Sequence, residues 1–288
     1  MIALIKRNLL LYFRNRSGVF FSLLGAMISF VLYIIFLKKS MINSWQEIPN
    51  SHQLLDFWLI GGTLSVTAIT TTLTSLGQLV KDKEREVIKD FYLTDLSRFK
   101  IKISYMLSAT LIGFFMQMMM FSLMLGYFLF ADSLAISWIS MLAVTCVAFF
   151  SSLLAVVINM LFIQFINRFD SLGAWGTIVG TASGFLVGTY VPLGILPSFA
   201  QFLIKLTPGA YVAAIYRQIL MDDKLTTTFH GQQNHFEKLM GIRLGWRHLL
   251  TGNQTIELLV LVFLLGTSIL LAIEIVSNKK NVKMTVFK

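Results

Sequence analysis

The stretch VPLGILPSFAQFLIKLTPGAYVAAIYR, residues 191–217, holds three of the chain's four prolines. It follows a long apolar run and is itself apolar, yet it does not read as one unbroken helix. Proline lacks a backbone donor and clashes with the turn before it, so a helix tolerates it only in the first turn. Pro192 and Pro197 therefore bracket a turn, LGIL, and Pro208 opens a new segment. The spacing predicts a helix that ends near Val191, a short helix over 198–205, a break at Thr207 and Pro208, and a further helix over 210–221. Crossing the hydrocarbon core takes about 20 residues, and each piece is shorter than that. Both short helices are apolar enough to remain in a membrane. They are expected to dip in and return as re-entrant helices, with Arg217 snorkelling to the headgroups.

The rest of the composition makes a bilayer the solvent. Hydrophobic residues are 56% of the 288 and charged residues 13%, with a mean hydropathy of +0.74. Soluble domains carry about 25% charged residues. A net charge of +10 in a soluble protein would suggest nucleic acid. Here Lys and Arg cluster between apolar runs, as topology signals do, so nucleic acid is excluded as a partner. Cys146 is the single cysteine, which rules out an intrachain disulfide and a cysteine metal cluster.

The fold class that follows is all-α and polytopic, one membrane domain over residues 1–288. Six spans are expected, at 18–37, 54–80, 104–130, 136–166, 172–191 and 256–276. The first is long enough to be a retained helix rather than a cleaved signal. Before it, MIALIKRNLLLYFRNR (1–16) places Ile2, Ile5, Leu9, Tyr12 and Phe13 near one face. Lys6, Arg7, Arg14 and Arg16 take much of the rest. That pattern fits an amphipathic helix lying on the membrane surface. Two thirds of the 24 basic residues fall in 1–16, 81–102, at Arg168 and in 279–288. The positive-inside rule then puts both termini in the cytoplasm, 81–102 in a cytoplasmic loop and 192–253 outside.

Titrating chemistry is sparse. Asp56, Glu257 and Glu274 lie near span ends. The deeper polar groups, Gln117, Asn159 and Gln164, do not titrate and are expected to bond neighbouring helices. That argues against an ion-coupled carrier, and the lack of an internal repeat argues against inverted-repeat carriers. HGQQNHFE offers His230, His235 and Glu237, but at no strong ligand spacing, so no metal site is assigned. No GxxxxGK[ST] phosphate loop occurs.

Two patterns carry more signal. Gly176, Gly180, Gly184 and Gly188 recur every four residues. On a helix they form a smooth ridge, for packing within the bundle or for a subunit interface. KDKEREVIKDFYLTDLSRFKIK (81–102) is first highly charged and then apolar at Val87, Ile88, Phe91, Tyr92 and Leu93. It reads as a short surface helix that docks a soluble partner, or as a solvated loop of topology charges.

Taken in order, these features resemble permeases of ATP-binding-cassette exporters of the second type. The resemblance rests on Pro192, Leu196, Pro197, Pro208 and Tyr211 before the last span, on KEREVIKDFYL after the second, on the basic N-terminal helix and on the missing ATPase motif. It covers nearly the whole chain. Thr94-Asp95, where many relatives carry a proline, and the polar insert 222–253 depart from it. The resemblance implies two permeases, identical or related, around a central path. Two separate ATPase subunits would bind ATP and Mg, with no cofactor in this chain. It implies docking through Glu84, Arg85, Glu86, Phe91 and Tyr92, and a second cytoplasmic contact at Asn167, Arg168 and Asp170. The path would be lined by the first, second and fifth spans, with Thr67, Thr70, Thr71 and Thr74 offering uncharged hydroxyls. That suits an amphipathic cargo such as a drug, a hydrophobic peptide toxin or a lipid-linked molecule. The rival reading is a plasma-membrane sensor or immunity protein that binds an outer peptide through the insert without moving it. A membrane-embedded enzyme lacks an acid, base or nucleophile constellation.

Overall fold

The computed structural model describes residues 1–44, 51–228, 233–246 and 248–286. Among them the chain is all-helical, without a strand. The basic leader forms α1 (Ile2–Arg14), and Asn15 caps the next helix by accepting from the Gly18 N–H. α2 (Arg16–Leu32) runs through a π-helical turn (Tyr33–Leu37) into α3 (Lys38–Ser44). α4 (Ser51–Glu84) returns, and a left-handed residue, Glu86 at φ 62°, breaks it from the short α5 (Val87–Tyr92). α6 (Arg98–Asp132) and α7 (Trp138–Ile163) start at Ser97 and Ser137, each accepting from a backbone N–H three residues on. α8 (Phe169–Leu186) follows.

The proline-rich stretch breaks where its spacing predicts. A 3-10 turn (Leu193–Ile195) follows Pro192, α9 (Ser198–Leu206) follows Pro197, and α10 (Pro208–Thr228) begins on Pro208. α10 outruns the expected 210–221 and is 21 residues long. α11 (Gln233–Met240) and α12 (Gly252–Val286) complete the order.

Among the described residues, five helical segments are long and apolar enough to cross a membrane: 16–42, 51–84, 98–132, 138–163 and 252–276. α8, expected as the fifth span over 172–191, has 18 residues rich in Gly, Ser and Thr and falls outside that set. The helices differ in burial. In α4, 94% of the most apolar window is inside the protein, against 17% in α12. So α4 is the axis, packed by α2, α6, α7, α8 and α10, while α12 turns most of its side chains outward.

Buried polar groups knit this bundle. Gln117 of α6 donates to Ser152 Oγ and to the Ala148 carbonyl of α7, and accepts from Ser151 and from the Tyr216 hydroxyl of α10. Asn159 of α7 donates to the Ile69 carbonyl and to Thr72 Oγ1 of α4. Such groups lose little by burial because each finds a partner. Gln164 instead donates within its own helix end.

Candidate functional site

An open groove of about 940 Å³ runs along one side of the bundle between α2, α4 and α8, with α1 at one end. Its α1 end mixes the polar Asn8, Asn15, Gln78 and Lys81 with Leu11, Tyr12 and Phe169, and its other end is aromatic, with Phe36, Phe185 and Tyr190. The groove is therefore amphipathic along its length.

The threonine face of α4 divides. Thr70 and Thr74 line the groove. Thr67 and Thr71 are fully buried and do not line it. The reason is the helical period: positions 67 and 71 fall on the face pressed into the core.

The glycines divide as well. Gly176 and Gly180 line the groove, and a Cβ built on either meets nothing within 4 Å. Gly184 lies under the Tyr190 ring, 2.2 Å from where its Cβ would be. Gly188 lies beyond the end of α8 in the left-handed region, φ 68°, where glycine costs nothing sterically. The ridge on the helix is thus three glycines long rather than four, and two of them face open space.

At the α1 end two segments separated in sequence meet. The Phe169 N–H at the start of α8 donates to Glu84 at the end of α4 (3.2 Å), and Lys81 Nζ lies 4.3 Å from the Phe169 ring centre. Asn167, Arg168 and Asp170 therefore adjoin the Glu84–Arg85–Glu86 corner, where all three side chains are exposed. Arg168 and Asp170 pair at 3.8 Å on the surface. Phe91 is partly buried, with the Arg7 guanidinium 5.3 Å from its ring centre. Tyr92 and Leu93 face outward, Leu93 at 88% exposure. Sequence reading gave Phe91 and Tyr92 equal weight, but the outward apolar pair is Tyr92 and Leu93.

Sequence reading also missed what holds α1. The helix docks through Leu4, Asn8 and Tyr12, with Leu9 packed beside Tyr12, so the expected apolar stripe is only partly the docked face. Ile2, Leu10 and Phe13 remain exposed. Asn8 donates to Ser108 Oγ, and Tyr12 bonds the Ser22 hydroxyl. Arg7 makes two bonds to the buried Asp82, at 2.8 and 3.0 Å. Gln78 and the Tyr105 hydroxyl also donate to Asp82. A bidentate guanidinium on a carboxylate is among the stronger polar contacts, and its partner raises the Arg7 pKa above the ordinary arginine value.

Arg217 is a correction. It does not snorkel: it is 2% exposed. Its Nε, Nη1 and Nη2 donate to the carbonyls of Trp58 (3.2 Å), Gly241 (3.2 Å) and Gly188 (2.8 Å). The guanidinium also lies 4.7 Å from the Trp58 ring centre. Among the described residues no carboxylate pairs with it. Gly188 and Gly241 both have positive φ and follow the ends of α8 and α11. Their carbonyls lie just past the helix C-termini, near the negative ends of the helix dipoles. Backbone dipoles thus stand in for a counter-ion. Pro192, Pro197 and Pro208 lie around this centre in sequence, and the Tyr211 hydroxyl donates to the Lys205 carbonyl across the α9–α10 break. Trp58 Nε1 donates to the Met240 carbonyl (2.7 Å), which seats α11 on α4. Of the insert, His230 and the His235 side chain lie outside the described residues.

Membrane-length helices around a buried axis, with a lateral amphipathic groove, define a multi-pass membrane protein built around a groove. The chain belongs to the ABC-2 type transporter family, whose model matches residues 1–221. It is the permease subunit, the membrane component, of such a transporter, and the family generally works with an ABC ATPase. No curated protein and no solved structure matches the chain.

Proposed function

We propose that this permease is the membrane half of an ATP-driven exporter in the plasma membrane. Two copies, or one copy and a related chain, face each other across the groove. Each engages a separate ATPase, which binds ATP and Mg. Both termini lie in the cytoplasm. α8 serves as a short fifth crossing, and α9 and α10 form the re-entrant cap at the far end. The cargo is amphipathic or hydrophobic: a drug, a peptide toxin or a lipid-like molecule.

The observation that carries this reading is the groove. It is bounded by the first, second and fifth expected spans and ends beside the corner where Glu84 meets the start of α8. Thr70 and Thr74 line it with hydroxyls that donate to the Val66 and Thr70 carbonyls and can still accept, and Gly176 and Gly180 leave it room. A second chain would close it into a path. ATP-driven movement at the Glu84–Tyr92 corner would reach α4 and α8 directly, because both begin or end there.

The test is ATP turnover by the complex of permease and ATPase in vesicles. Amphipathic compounds should stimulate turnover and should accumulate on the side opposite the ATPase. Tight binding of a peptide to 222–253, with neither stimulation nor movement, would favour a sensor instead.

A further inference from the structure

A second pocket, of about 290 Å³, lies between the Leu193–Ile195 turn, α9, and α11 with the chain that follows it. Its charged lining is wholly basic: Lys205, Lys238 and Arg243, beside the amide of Gln201. Glu237 is buried, with its carboxylate 3.3 Å from Arg243 Nε. Among the described residues no carboxylate pairs with Lys205 or Lys238. Burial and the neighbouring Lys238 hold the Lys205 ammonium below the ordinary lysine pKa. Arg243 is thus neutralised by Glu237, and the two lysines leave net positive charge in a concave, partly desolvated place.

What surrounds the pocket separates one kind of anion from another. Gln201 and Lys205 lie on the side of α9 that meets the pocket, while Phe199, Phe202, Leu203 and Leu206 are exposed. Trp246, also exposed, packs edge-on against Phe202 with ring centres 5.4 Å apart, and Lys205 Nζ lies 5.9 Å from the Trp246 ring centre. Tryptophan and basic side chains at the rim of an apolar face mark the level of lipid headgroups. A small soluble anion would use the cations and leave the apolar face bare.

We infer that this pocket binds the phosphate headgroup of an acidic glycerophospholipid, with the acyl chains lying along the exposed face of α9. Lys205 and Lys238 meet the phosphate, and Phe199, Phe202 and Trp246 flank the glycerol and the upper chains. The lipid would tie α9 to the insert carrying α11. A zwitterionic lipid brings its own cation toward these lysines and gains less. The inference needs only that α9 lies at a membrane boundary, and it is independent of whether the chain transports anything.

The test is lipid binding to the full chain in detergent, followed by native mass spectrometry with dioctanoyl phosphatidylglycerol and dioctanoyl phosphatidylcholine. The acidic lipid should bind more tightly. The Lys205→Gln/Lys238→Gln double variant should lose about thirtyfold in affinity for it, as expected for two headgroup cations, and little for the choline lipid. Phe199→Ala/Phe202→Ala should weaken the lipid while leaving the lysines in place. Equal binding of the two lipids, or an unchanged double variant, would overturn the pocket assignment. Displacement by inorganic phosphate at the same concentration as the lipid would overturn the lipid as its ligand.

Discussion

Arg217 brings a charge into the bundle at a place where an apolar helix, PGAYVAAIYRQIL, reads as the edge of a membrane. The lone arginine was legible, but its destination was not. Its acceptors are carbonyls at 58, 188 and 241, and the latter two are exposed only because Gly188 and Gly241 turn left-handed. No side-chain pattern announces a backbone acceptor. Arg217→Leu would leave these carbonyls without their donor and should cost about 3 kcal/mol, as for buried acceptors left unsatisfied. It should appear as a lower unfolding temperature of the full chain in detergent. Arg217→Lys should fall between, since an ammonium cannot match the fork of a guanidinium. Wild-type melting in both variants would remove Arg217 as the tie between α4, α8 and α11. Asn8 teaches the same lesson: it reads as the polar side of α1, yet it packs inward because Ser108 waits there.

Among the elements, α9 and α10 were the most legible. Proline fixes where a helix can start, and the two begin within two residues of expectation. The extent of α10 was not, because 222–228 read as a polar insert although it continues the helix. α8 was legible as a glycine helix but not as two faces. Gly176→Leu and Gly180→Leu should leave the single chain folded and abolish pairing of two permeases. Cysteine crosslinking along this face, with size measurements of the monomer, reads both. Crosslinks confined within one chain would contradict the interface. Gly184→Leu should differ, because its bulk meets the Tyr190 ring; loss of folded yield is expected. On α5, Tyr92→Ala with Leu93→Ala should weaken ATPase binding by about 2 kcal/mol, the scale of an interface anchor. Membrane insertion should be unaffected, since neither side chain is buried. Phe91→Ala is the less clean test, because Phe91 also packs against Arg7. Full-strength assembly in the Tyr92/Leu93 variant would move the docking surface elsewhere.

Taken whole, the molecule is a groove with a cap at one end and an exposed, charged corner at the other. Which end lies outside can be read by labelling. A cysteine at Ser198, exposed on α9, in a Cys146→Ser background, should react with an impermeant thiol reagent only from outside the cell. Ala210 is unsuitable for this purpose, being 1% exposed. Labelling from the cytoplasmic face alone would invert the topology. The helical class and the order of the segments were legible from hydropathy and proline. The groove was not, because it forms between α2, α4 and α8, which tertiary packing rather than chain order brings together. The central claim is that the chain acts only with a separate ATPase held at the Glu84–Tyr92 corner and the start of α8. Its most direct measurement is ATP hydrolysis by the purified permease, alone and after co-expression with its cognate ATPase. The account predicts no turnover alone, and a stable, hydrolysing complex whose assembly is weakened in the Tyr92→Ala/Leu93→Ala variant. Robust turnover by the isolated chain would contradict it.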